Sequence, residues 1–335
     1  MTNEPAGGLP ARILGALAGI PAALVPSSIK ALNQLVTAAV DIPTAKLRQY
    51  RARIDAQTAS FEAVEAAIAR TAAEHAGADP EITERAVGTL VRGAYRKQIN
   101  REAVAQAALE DLRDANDAHV ADAPPYPEEI DDDWLNVFEQ YAERASTERM
   151  QKLWGRVLAG EIRGPGRYSM RTLRFLSEFS QKDAIDFVAV AQFAFARNIA
   201  KDAILKDPAA DIRHLIDMEA AGLLSGASGT GLTLSLGLQN AGPVFVALLA
   251  DPPLMLILEG DAEAKISMPT IALTPLAIEL LTLIPGRDAI AAARSFVAAL
   301  PKDQLKRVTL AMQSQSTSPV ALEILWERPA EPAAA

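Results

Sequence analysis

Residues 154–176 form the stretch WGRVLAGEIRGPGRYSMRTLRFL, from which the fold prediction starts. Its first half places apolar residues three and four positions apart, which predicts an amphipathic helix. The Gly-Pro-Gly sequence at 164–166 ends that helix, because glycine tolerates a left-handed cap and proline cannot continue a helix. Ser169 is then in position to cap a second helix. The stretch therefore predicts two helices joined by a tight turn.

Helical patterns continue on both sides of this turn. Downstream, residues 184–196 are apolar nearly all round, which predicts a buried helix, and Ser180 with Asp183 resembles a capping box at its start. Upstream, residues 43–75 and 81–115 repeat apolar residues at helical spacing with a glycine and proline turn between them. These two runs predict an antiparallel helical hairpin. The apolar face of its second helix comprises Ile82, Val87, Leu90, Val91, Ile99, Val104, Leu109 and Leu112.

The C-terminal third mixes helical and alternating patterns. Residues 211–224 predict a helix that ends at Gly222, and a glycine-rich turn at 225–231 leads into a strand at 232–238. This order of helix, turn and strand is compatible with the wing of a winged helix. Further strands are predicted at 254–258, 265–273, 308–312 and 321–326, and further helices at 276–283 and 288–300.

These patterns together predict a mostly α-helical fold. We expect an N-terminal helical hairpin or arm, a central helical domain, and a small α+β C-terminal domain that resembles a winged helix. Residues 121–127 form the clearest linker, because consecutive prolines prevent a helix from continuing. The expected segments are residues 1–42, 43–120, 128–206 and 207–329.

Composition narrows the class of protein. The chain has 335 residues, a formal net charge of -9 and no cysteine. The negative charge argues against a general nucleic-acid binder, because phosphates are neutralised by a positive field. The lack of cysteine excludes disulfides and sulfur-ligated zinc. Residues 1–10 lack the basic cluster of a signal peptide. We therefore expect a cytoplasmic protein, peripheral to the inner membrane if its N-terminal segment contacts lipid.

Residues 13–40 are nearly uncharged, with Lys30 as their only formal charge. Pro21 and Pro26 divide them into runs shorter than the roughly 20 residues that span a bilayer. The second run has one apolar helical face, which indicates contact either with a membrane surface or with protein, inside the fold or in a homo-oligomer. The expected contact residues are Ile13, Leu14, Leu17, Ile20, Ile29, Leu32, Leu35 and Val36, and a basic flank follows at Lys46, Arg48, Arg51 and Arg53.

Arginines surround the central turn close to the start of its second helix. Such a cluster is a candidate anion-binding face, with phosphate or a nucleotide as the ligand class. The alternative is structural, with Glu161 pairing with Arg171 across the turn and locking it. The candidate anion-binding residues are Arg163, Arg167, Arg171 and Arg174.

The sequence contains no recognisable catalytic constellation. Its only histidines are His75, His119 and His214, and none has the spacing of a zinc site. There is no Gly-x-Ser-x-Gly nucleophile motif. The acidic run at 128–133 suits a helix N-terminus, where free N–H groups favour carboxylates, better than a metal site. We expect no catalytic residue, no bound metal and no cofactor.

The central turn and its surroundings, between residues 143 and 195, contain a second pattern. Its residues are Trp154, Leu158, Ala159, Gly160, Glu161, Ile162, Pro165, Gly166, Ser169, Arg171, Thr172, Leu173 and Leu176. They resemble the core of a bacterial family that is known only as a domain of unknown function. The resemblance implies a bacterial protein that is intracellular or membrane-peripheral, with a role in defence or stress, and it carries over no catalytic residues.

Two functions follow as expectations. The first is a non-enzymatic assembly or effector protein that forms a homo-oligomer or attaches to a membrane through residues 13–40. The second is a soluble regulator that binds a nucleotide or nucleic acid through the arginines at 163–174. Loss of liposome binding on deletion of residues 1–42 favours the first, and loss of nucleotide binding in Arg171→Ala favours the second.

Overall fold

A computed structural model describes residues 19–35, 70, 80–114, 129–206, 212–313 and 318–329. The chain forms two compact units, with the boundary between Leu173 and Arg174. The four segments expected from the sequence have boundaries that involve residues outside the described ranges, so those boundaries stay predictions.

The described part of unit 1 is helical. A short 3-10 turn, Ala22–Leu24, leads directly into the first helix. The helices are α1 (Val25–Leu35), α2 (Pro80–Asp114), α3 (Asp132–Ala142), α4 (Glu148–Arg163) and α5 (Met170–Glu178), and the unit boundary falls within α5.

The core of unit 1 is aromatic and closely packed. The rings of Trp134 and Phe138 stack with centroids 5.1 Å apart, and Tyr141 stacks on Trp154 at 5.3 Å. Helices α2 and α4 approach so closely that a Cβ atom added to Gly155 would lie 2.5 Å from the Cβ of Ala107. The first half of the 154–176 stretch therefore sets how these two helices pack.

The central turn forms as the sequence predicts. Helix α4 ends at Arg163, and Gly166 has a φ of 83°, a left-handed conformation that glycine adopts without strain. The Ser169 hydroxyl accepts a hydrogen bond from the Thr172 N–H at 3.3 Å, which confirms the predicted cap.

Unit 2 combines helices with strands. Its helices after α5 are α6 (Gln181–Ala191), α7 (Lys201–Leu205), α8 (Ile212–Ala220), α9 (Pro275–Leu281) and α10 (Ala289–Ala299). Its strands are β1 (Ala194–Phe195), β2 (Asn198–Ala200), β3 (Leu224–Ser225), β4 (Leu232–Gly237), β5 (Gln239–Ala241), β6 (Val244–Asp251), β7 (Leu254–Gly260), β8 (Lys265–Leu273), β9 (Leu305–Met312) and β10 (Val320–Glu327).

The described strands form two antiparallel sheets of five strands each. In the first, the order is β1-β2-β8-β3, and β4 also pairs with β8. In the second, the order is β10-β9-β7-β6-β5. Alternate residues of the central strands, such as Leu256, Leu258 and Val308, are buried in one cluster with Phe296 of α10. One face of the second sheet therefore packs on a helix, as expected for a sheet with one buried face.

This architecture shows that the predicted mostly α-helical fold with a small winged-helix-like C-terminal domain is wrong. Two sheets run through unit 2, and strand β6 and the β1–β2 hairpin lie where no strand was predicted. The helix expected at 184–196 ends at Ala191, and Ala196 and Arg197 turn the chain with positive φ. Pairing of Ile199 with Ile271 holds the hairpin, and such distant pairing leaves no local signal in an alanine-rich stretch.

None of the helices in the described ranges is both long enough and apolar enough to cross a membrane.

Candidate functional site

Helix α1 packs inside unit 1. It contacts α2, α3 and α4. Of the residues expected to contact membrane or protein, Ile20, Leu32 and Leu35 are buried and Ile29 is half-buried. In this conformation the apolar face of α1 therefore contacts protein of its own unit. Outside the described residues lie Ile13, Leu14, Leu17 and Val36 and the whole basic flank of Lys46, Arg48, Arg51 and Arg53.

The acidic residues before α3 cap the start of this helix and pair with Lys30. Asp131 accepts a hydrogen bond from the Trp134 N–H at 2.9 Å, as a helix cap does. The Lys30 ammonium lies 2.8 Å from Asp132 and 3.7 Å from Glu129. The hydrogen bond to Asp132 raises the pKa of Lys30, against the opposing effect of burial. Among the described residues, no group of three or more His, Asp or Glu side chains could hold a metal.

Two of the four candidate anion-binding arginines are engaged by carboxylates. Arg163 donates to both the backbone oxygen and the side chain of Asp111, at 2.6 and 2.7 Å. Arg174 pairs with Glu178 at 3.4 Å on the exposed face of α5. Arg171 is exposed, and the Arg167 guanidinium lies 5.9 Å from the ring of Tyr168. Anion binding at this turn stays a prediction, with Arg167 and Arg171 as its remaining candidates.

Glu161 locks the central turn from inside. Its carboxylate, 1% exposed, accepts hydrogen bonds from the backbone N–H groups of Gly166 and Tyr168. The Tyr168 backbone oxygen in turn accepts from the Trp134 indole at 2.7 Å. A buried carboxylate is tolerated only when donors of this kind compensate its lost hydration. The Glu161 carboxylate therefore has a structural role in the central turn.

His214 approaches a buried aspartate, a contact that the sequence did not reveal. Its Nε2 atom lies 3.6 Å from Asp186, which is 4% exposed and also accepts from Lys182 at 2.6 Å. The contact joins α6 and α8, and its two residues, Asp186 and His214, are 28 positions apart in the sequence. The cluster resembles a charge network that compensates one buried carboxylate. His75 and His119 lie outside the described residues.

The glycine-rich turn between β3 and β4 binds the side-chain carboxylate of Glu219. The Glu219 carboxylate accepts from the N–H groups of Gly226, Ala227 and Ser228, and from the Ser228 hydroxyl. The hydroxyl bond is the largest of the effects that lower the pKa of Glu219. Converging backbone N–H groups are a typical phosphate cradle, but here a side chain of the same unit fills it.

Helix α2 exposes an apolar stripe at its N-terminal end. In the C-terminal half of this 35-residue helix, Val104 and Leu112 are buried as predicted. In the N-terminal half, Ile82 and Leu90 are 58% and 71% exposed, although the sequence assigned them to the same apolar face. Ala86 and Ala94 are exposed at the same four-residue spacing, and nothing lies within 4 Å of a Cβ placed on Gly93. We call the residues Ile82, Ala86, Leu90 and Ala94 the α2 stripe.

The α2 stripe could be read from the sequence only in part. Residues that recur every fourth position lie on one helical face, so the grouping is a local signal. Whether that face is covered depends on distant segments, which a periodicity does not report.

The comparison with known families covers the middle of the chain. Residues 84–210 match a family model described as a protein of unknown function, DUF2806. The match contains the central turn and confirms the predicted resemblance to a domain of unknown function. No curated protein and no solved structure matches the chain.

Proposed function

We propose that this chain is a non-enzymatic assembly protein that associates with a second copy through the α2 stripe. The observation that carries the proposal is the exposure of Leu90 and Ile82 at helical spacing on a helix whose C-terminal half has a buried apolar face. Fully burying a side chain of this kind stabilises a protein or a complex by about 1.5–3 kcal/mol. Burial of both side chains in an interface would therefore contribute substantially to association.

The shape of the stripe supports a helix as its partner. Single exposed apolar residues are common on protein surfaces and need no partner. Here the large side chains alternate with Ala86 and Ala94, and Gly93 lies beside them, so another helix can approach closely. Apolar anchors at positions i, i+4 and i+8 are the pattern by which helices recognise one another.

The N-terminal segment has a supporting part in this proposal. Leu32 and Leu35 of α1 are buried within unit 1, and α1 contacts α2 directly. Helix α1 therefore holds α2 in place, and α2 presents the apolar surface. Contact of the segment with a membrane is an alternative that its described residues could make only by leaving their present packing.

The test measures the molar mass of the full-length protein by size-exclusion chromatography with light scattering over a series of concentrations. We expect a concentration-dependent increase in mass for the wild type and a monomer for Leu90→Glu. Leu205→Glu is the matched control, because Leu205 is a 47% exposed leucine that belongs to unit 2 and not to helix α2. Circular dichroism verifies that both variants keep the wild-type helix content.

Two results would overturn the proposal. One is a wild-type protein that stays monomeric at the highest concentration tested. The other is a Leu90→Glu variant that associates as the wild type does, which would mean that the contact lies elsewhere on the chain.

A further inference from the structure

We draw no further inference here: the strongest candidate, the surface patch on the second sheet where the exposed Leu248 of β6 and Ile324 of β10 lie in one row with Ile257 and Thr309, carries none because nothing in the structure shows what covers it.

Discussion

At the scale of single residues, two glutamate carboxylates each bind the backbone of a turn, one in each unit. Glu161 is buried beneath the central turn of unit 1, and Glu219 is partly exposed beside the glycine-rich turn of unit 2. Each accepts hydrogen bonds from backbone N–H groups of its turn. Both turns contain a glycine with positive φ, Gly166 and Gly226, and the charged carboxylate holds the backbone around it by strong hydrogen bonds.

The Glu219 contact predicts a dependence of stability on pH. Its pKa in the folded state is lowered from the ordinary value of 4.5, chiefly by the Ser228 hydroxyl. A carboxyl group with a depressed pKa contributes stability that is present above its unfolded pKa and lost as pH falls through its folded pKa. We therefore expect Glu219→Gln to be less stable than the wild type at pH 7, and the difference to shrink on acidification below 4.5.

Urea denaturation of both proteins at several pH values measures this difference. Glu263→Gln is a suitable control, since Glu263 is an exposed glutamate outside the glycine-rich turn. A constant difference between wild type and Glu219→Gln from pH 7 to pH 3 would contradict the assignment of the effect to the carboxylate charge.

At the scale of elements, the close approach of α2 and α4 depends on one missing side chain. A Cβ on Gly155 would lie 2.5 Å from the Cβ of Ala107 and 2.9 Å from backbone atoms of α2, which cannot move aside. We expect Gly155→Ala to lower the free energy of unfolding by about 1–3 kcal/mol, despite the better helix propensity of alanine.

Gly93→Ala is the matched control for this effect. The site lies on α2 with nothing within 4 Å of the added atom, so alanine is expected to raise stability by up to about 1 kcal/mol. Both substitutions are best measured by thermal and urea unfolding in the Leu90→Glu background, where the proposed self-association does not contribute. Equal effects of the two alanines would show that the helices can separate at little cost.

The same scale explains what the sequence could predict. Helix ends were readable because their signals are local: Ser180 and Asp183 form the predicted capping box, and Asp288 caps α10 from three residues away. The second sheet was only partly readable. Strand β6 lies in a continuous apolar run, which periodicity alone does not distinguish from a helix, and its pairing partner β7 fixes it as a strand.

The candidate site was predictable to a smaller extent than the fold. Arg163 looked available for an anion because its partner, Asp111, lies 52 positions away on α2. Leu90 was assigned to the same apolar face as Leu112 by its spacing, although only Leu112 is buried. In both cases the residue type and spacing were informative, and the missing fact was which distant segment packs on that face.

At the scale of the whole molecule, α1 determines how deletion of the N-terminal segment should be interpreted. Leu35 is 0% exposed and Leu32 is 4% exposed, and a single buried leucine contributes about 2–5 kcal/mol when it is truncated to alanine. A chain of residues 43–335 lacks both side chains and leaves the faces of α2, α3 and α4 that α1 covers open to water. Loss of any binding activity in that chain would therefore not assign the activity to residues 1–42.

We expect the 43–335 chain to lose the cooperative unfolding of unit 1 while unit 2, which has its own buried cluster, stays folded. Limited proteolysis with mass spectrometry measures this directly, because cleavage should spread through α2 and α4 and spare the sheets. Leu35→Ala is the milder companion variant, expected to lower the stability of unit 1 without unfolding it. If the truncated chain resisted the protease as the full-length protein does, α1 would be peripheral to the fold, and its apolar face would be available for a membrane or another partner.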